Sequence, residues 1–210
     1  MERNISIIRD TDGHKIVLIN EIRFKGKRSI NWEEVREYLK SFVGEFYKIA
    51  DTEDIVYIGQ DLPDEYTGSE YTYSLKGTAA KAKANAAQGL GEMLEIAADG
   101  SFTPNRKAKH AVDAANGWYR YESRFALPVY GEDGEIDRYN VFRVYMIIRH
   151  DLNGMKYLYD VINVKKKRAT RLAVKKLLTR TVKNPFLSSR TIARYRRKSQ
   201  EEIEKPKGAP

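Results

Sequence analysis

Between Lys109 and Tyr130 the chain reads KHAVDAANGWYRYESRFALPVY, which sets a histidine, His110, ahead of Arg120, Glu122 and Arg124 at alternate positions. Side chains alternate across a strand. If WYRYESRFALPVY is extended, Trp118, Arg120, Glu122 and Arg124 share one face, and Tyr119, Tyr121, Ser123 and Phe125 take the other. A carboxylate, a histidine and several arginines are the groups needed to cleave RNA without a metal. One group takes the proton of the ribose 2′-hydroxyl, a second protonates the leaving oxygen, and a cation stabilises the charge that builds on the phosphate. On that chemistry Glu122 is the candidate base and His110 the candidate acid. Arg120, Arg124 or Arg149 is the candidate phosphate clamp, arginine being suited by its planar fork. Nearby tyrosines offer rings on which bases stack. Arg-Glu-Arg at alternate positions is equally the pattern of a solvated sheet face with cross-strand ion pairs.

Other chemistry-bearing residues are weaker candidates. His14 adjoins a hairpin turn and reads as surface. His150, before Asp151, reads as a strand end or a second acid/base group, and no third metal ligand is spaced near the two. Lys81, Lys83 and Asn85 lie within a turn of one another on an expected helix, where they form a phosphate contact or simply its wet side. Lys76-Gly77-Thr78 lacks the GxxxxG frame of a phosphate-binding loop, and neither GxSxG nor HExxH occurs. No metal or cofactor is expected.

The elements that must position these groups follow from pattern. Thr11-Asp12-Gly13 separates two β-rich runs, about 5 to 9 and 15 to 24, as a hairpin. Ser29 or Asn31 can cap an amphipathic helix with Glu33 and Glu34 in its first turn. DIVYIGQDLP is a short strand, and the tyrosine-rich DEYTGSEYTYSLKG reads as a polar connection. Strong helix formers predict a long helix over about 78 to 98, weakened at Gly89 and Gly91, and RKAKHAVDAANG a short one stopped at Asn116-Gly117. Three long β runs follow, joined by glycine-bearing turns. Which faces coincide depends on the Leu152-Asn153-Gly154 turn, since a one-residue slip flips every side chain. The plan is ββαβααβββ, an α+β domain with helices packed on an antiparallel sheet over residues 1 to 164.

The formal charge is +9, with no cysteine for disulfide, thiolate or Cys-based zinc chemistry. Residues 165 to 198 hold fourteen Lys or Arg and no acid, and the last twelve residues add −1, so residues 1 to 164 carry −4. The basic segment, 165 to 210, is expected to be partly helical. Its Lys165, Lys166, Lys167, Arg168, Arg171, Lys175 and Lys176 join Lys81 and Lys83 as candidate nucleic-acid contacts. A solvated tail is the plain alternative. The beginning has no signal-peptide pattern and no stretch nears about 20 apolar residues, so a protein of the cell interior with no membrane partner is expected. The ending EEIEKPKGAP has no clear stop, which fits a fragment of a longer protein.

The words KAKANAAQG, GWYRYESRFALPV and KYLYDVIN, within about residues 35 to 165, resemble a domain of large polyvalent (MuF-type) proteins of phages and integrated elements of gut Firmicutes. That domain is associated with the barnase, EndoU, colicin and RelE-like group of metal-independent ribonucleases. The resemblance implies helices followed by a curved antiparallel sheet, an RNA substrate, an acid/base pair and cationic phosphate ligands. Carried onto this chain, those roles fall on His110, Glu122, Arg120, Arg124, Arg149 and Tyr159, with Ser74 a weaker candidate. It also implies action in the host cell interior or on a virion. Two other readings stay open: a non-catalytic module that binds nucleic acid or blocks a host defence complex through a protein partner, and a phage head-assembly domain.

Overall fold

The computed structural model describes residues 4–26 and 29–173. They form an α+β fold around a mixed eight-stranded sheet of order β1-β2-β6-β7-β8-β4-β3, with β5 pairing β6. The hairpin β1 (Ile5–Arg9) and β2 (Lys15–Ile19) turns at Gly13, whose φ of 83° suits glycine. Asn31 caps α1 (Trp32–Lys40) by accepting from the Glu34 amide. Two short strands follow, β3 (Phe46–Lys48) and β4 (Ile55–Tyr57). The expected polar connection is instead two short helices, α2 (Leu62–Gly68) and α3 (Glu70–Ser74), the second capped by the Ser69 hydroxyl.

The expected long helix divides into α4 (Gly77–Ala86), a 3₁₀ turn at Ala87–Gly89 and α5 (Leu90–Glu95). The division falls where the helix presses on the sheet. A Cβ on Gly89 would lie 3.2 Å from Val17, and one on Gly91 would lie 2.1 Å from the Tyr47 ring. β5 (Ala98–Thr103), which has no apolar alternation, is held by pairing with β6. The expected helix before Asn116-Gly117 is a 3₁₀ turn at Ala108–His110 followed by turns. Three long antiparallel strands complete the sheet: β6 (Trp118–Tyr130), β7 (Ile136–His150) and β8 (Lys156–Ala173).

Two features correct the expected plan. The sheet is not purely antiparallel, because β2 runs parallel to β6 and β4 parallel to β8. β8 also continues past residue 164 to Ala173, so Lys165, Lys166, Lys167, Arg168 and Arg171 belong to a strand. Lys175, Lys176 and nearly all of the expected terminal helix lie outside the described residues.

The helices cover the face that carries Tyr121, Phe125, Phe142, Val144, Met146 and Ile148, all buried. Lys83 and Asn85 are buried there too, against the expectation of a wet helix side. Neighbours pack on α4 from more than one side. The Asn85 amide pairs with the backbone of Phe24, donating at 3.0 Å and accepting at 3.1 Å. Lys83 Nζ donates to Asp160 Oδ1 on β8 at 2.5 Å and to Thr72 Oγ1 on α3 at 2.6 Å, while Ser69 donates to Asp160 Oδ2 at 2.9 Å. Burial disfavours charge on both partners, lowering the Lys83 pKa and raising that of Asp160. Lys83 is thus a core residue and not a surface nucleic-acid contact. Lys81 is half-buried.

Candidate active site

The outer face of the sheet, opposite the helices, carries the sequence-predicted residues in two groups. Register sets Arg124 opposite Arg143, Glu122 opposite Tyr145, Arg120 opposite Ile147 and Trp118 opposite Arg149. Glu122 is enclosed by guanidinium groups. Its Oε1 accepts from Arg124 Nη2 at 2.9 Å and Nε at 3.2 Å, and its Oε2 from Arg143 Nη1 at 3.2 Å. Arg120 and Arg143 both lie over the Tyr145 ring, at 5.3 and 5.6 Å, and Lys165 sits across from Arg143. Arg124 and Arg143 thus hold the Glu122 carboxylate, with Arg120 and Lys165 beside them and Asp10 Oδ2 3.8 Å from Arg124 Nη1, a cation-rich patch around an aromatic ring.

Glu122 and Arg124 also line a cavity of about 330 Å³ with His14, Lys15, Asp51 and Asp99. It lies where the edge of β6 changes partner, between its last pair with β5 at Glu122 and its first with β2 at Phe125. The histidine that shares a cavity with Glu122 is thus His14, at the β1–β2 turn.

The second group lies at the other end of β6. His110 packs edge-on to Trp118 and Tyr159, with ring centroids 5.2 and 5.8 Å away. Its Nδ1 is 2.9 Å from Asp113 Oδ2, and the same oxygen accepts from Arg149 Nη1 at 3.2 Å. Arg149 Nη2 donates to Asp61 Oδ2 at 2.7 Å, and the guanidinium lies 5.2 Å above the Tyr157 ring. Burial alone would raise the Asp113 carboxyl, but the hydrogen bond and charge of His110, with the charge of Arg149, hold it below its ordinary value. An ionised carboxylate only accepts, so Nδ1 of His110 carries the proton and Nε2 is the nitrogen left to exchange one. Burial, with Glu65 beside the hydroxyl, pushes Tyr159 above the ordinary phenol range and keeps it an O–H donor.

The structure therefore brings His110, Arg149 and Tyr159 together and sets Arg120, Glu122 and Arg124 apart from them. Trp118, which touches His110, is four residues from Glu122, or about 13 Å along a strand. The expected His110–Glu122 pair is not formed, although both belong to one face. Tyr159 has the parity of Tyr157 and so meets His110 on the outer face; β8 carries an extra residue here, Ile148 pairing with Leu158 and Ile147 with Asp160, which lets Asp160 and Val161 face the core in succession. Ser74 is placed elsewhere, its hydroxyl donating to the Tyr71 carbonyl at 2.6 Å. His150 packs on Tyr119 at 5.9 Å, and its backbone pairs with Asn116 and Gly117. Sequence reasoning missed Asp113, Asp61 and Glu65. The three-residue spacing of His110 and Asp113 was a usable signal, whereas nothing in the sequence points to Asp61.

Comparison with protein-family models, with curated proteins and with solved structures found no match to this chain.

Proposed function

We propose that this chain is a metal-independent endoribonuclease domain of a phage or mobile element, acting on RNA inside a host cell. The observation that carries the reading is the His110–Asp113 pair beside Arg149 and Tyr159, on the face that also bears the Arg120, Arg124 and Arg143 patch. His110 Nε2 accepts the proton of the 2′-hydroxyl as O2′ bonds to phosphorus. The bond to O5′ breaks, and that oxygen leaves with a proton donated by the Tyr159 hydroxyl. The products are a 2′,3′-cyclic phosphate and a 5′-hydroxyl, so no further reactant is needed. Asp113 holds the His110 tautomer, and Arg149 faces the charge that develops on the phosphate. This changes the role expected for Glu122, which organises the arginine patch and does not act as the base.

The test is cleavage of single-stranded or transfer RNA by the purified chain in EDTA. Cyclic phosphate ends are expected, with a loss of at least about 100-fold for His110→Ala. Intact RNA at high protein concentration overturns the reading. A second reading, a binding module without catalysis, is favoured by one feature: Asp61 and Asp113 occupy both terminal nitrogens of Arg149. It predicts salt-sensitive RNA binding with no products. No helix among the described residues is long and apolar enough to cross a membrane.

A further inference from the structure

Register places Phe46, Tyr57, Tyr157, Arg149 and Trp118 opposite one another in a single line across β3, β4, β8, β7 and β6. Their sequence neighbours Tyr47, Val56, Leu158 and Ile148 are buried in the core, so the line faces away from it. Ring centroids follow at 5.7 Å from Phe46 to Tyr57 and 5.8 Å from Tyr57 to Tyr157, and Arg149 lies 5.2 Å over Tyr157. Adjacent strands are about 4.8 Å apart, so the line runs roughly 19 Å from the sheet edge to Trp118, where His110 begins. Rings that only hold a sheet together are normally covered. Here Phe46 is 44% exposed, and Ile55, its diagonal neighbour on the same face, is 46% exposed.

We infer that this line is a binding track for single-stranded RNA, with Phe46, Tyr57 and Tyr157 as successive base-stacking platforms that lead the strand to His110. The ligand class rests on the ribonuclease reading. Two observations independent of the catalytic chemistry favour RNA over a protein partner. The ring series ends under a guanidinium, a combination that takes up bases and backbone together. The same face continues into the cations Arg120, Arg143 and Lys165, which complement a phosphate chain. A duplex cannot use the platforms, because its bases are already stacked on each other. The track therefore selects unpaired segments, and it does so without reading sequence, since every base has a ring face.

The experiment measures binding of a short, unstructured 2′-O-methyl oligonucleotide, which has no 2′-hydroxyl to attack, to the full chain and to Phe46→Leu, Tyr57→Leu and Tyr57→Phe. Each Leu variant is expected to bind about 5- to 100-fold more weakly, while Tyr57→Phe, which keeps the ring, stays within about twofold. The ring-dependent loss should be the same at low and high salt, whereas the loss in Arg143→Gln should shrink as salt rises. Thermal melts of the same variants show that they are folded. Ring-dependent binding of the 2′-O-methyl strand with no cleavage of the ribose strand would sink the ribonuclease reading and leave the track standing. Cleavage by Leu variants that bind like wild type would sink the track alone. Self-association through Phe46, with oligonucleotide binding untouched by the ring changes, would also overturn it.

Discussion

Replacing Lys83 by Met removes one half of an ion pair whose side chains are 0% and 3% exposed. The methionine fills most of the volume, but Asp160 loses its cation while still enclosed by Ser69, the Val161 amide and the surrounding core. Breaking a buried pair from one side costs about 3 to 5 kcal/mol, because the remaining charge has neither water nor a counterion. For a domain of this size that is a fall of roughly 6 to 20 °C in Tm. The loss must also depend on pH. Burial already raises the Asp160 pKa above its unfolded value, and removing Lys83 raises it further. A carboxyl with a raised folded pKa contributes stability that is fully present below the unfolded pKa of about 3.9 and is lost as pH rises through the folded value. Lys83→Met should therefore come closest to wild type in mild acid and fall behind progressively toward neutral and alkaline pH. Urea titrations of wild type, Lys83→Met and Lys83→Met/Asp160→Leu at several pH values measure this directly. The double variant, which leaves no buried charge, should recover most of the loss. A single variant as stable as wild type at neutral pH, or a loss that does not change with pH, would show that the pair does not carry charge in the core.

Three further outcomes are expected. Asp113→Asn leaves the fold intact but no longer holds Nδ1 as the protonated nitrogen of His110, so RNA cleavage should fall about 100- to 10,000-fold with RNA affinity nearly unchanged, measured by single-turnover kinetics. Glu122→Gln should change cleavage less than about tenfold, since the carboxylate is about 13 Å from Trp118 along the strand, while raising RNA affinity and steepening its salt dependence as Arg143 loses its counterion and Arg124 keeps only Asp10. Gly91→Ala forces a methyl to within 2.1 Å of the packed Tyr47 ring, and calorimetry should show a loss of about 1 to 3 kcal/mol.

How far the sequence foretold this molecule depended on whether local pattern or distant pairing decides each element. WYRYESRFALPVY is β6 at both ends, Asn31 is the helix cap, and Thr11-Asp12-Gly13 is the first turn, because alternation, side-chain capping and left-handed backbone are local constraints. β3 has three residues and β5 reads ADGSFT, so neither holds enough apolar alternation to announce itself. Both exist because a neighbouring strand supplies the hydrogen bonds. The parallel pairs β2–β6 and β4–β8 join segments about 100 residues apart, beyond the reach of any local pattern. Charge misled most at Lys83, where a lysine between alanines reads as a wet helix side until α3 and β8 are seen to close over it. At the site, parity correctly grouped Arg120, Glu122 and Arg124, and only the geometry before β6 could show that His110 meets Trp118 instead of Glu122.

Two adjacent residues of β8 connect the core to the candidate site. Tyr159 and Asp160 are consecutive and so serve opposite faces, Tyr159 turning to His110 on the outer face and Asp160 to Lys83 under the helices, and the extra residue lets Val161 face the core directly after Asp160. Without the insertion, the alternation set by Tyr159 and Asp160 would turn Val161 and the residues after it to the opposite face. The buried pair thus joins α3 and α4 to the strand at the residue next to the one that meets His110. Lys83→Met, assayed well below its own melting temperature, should lose cleavage even though Lys83 is on the far side of the sheet, and the double variant should recover stability more fully than activity. Full activity in folded Lys83→Met would mean that the β8 backbone keeps its course, and Tyr159 its place, without the pair.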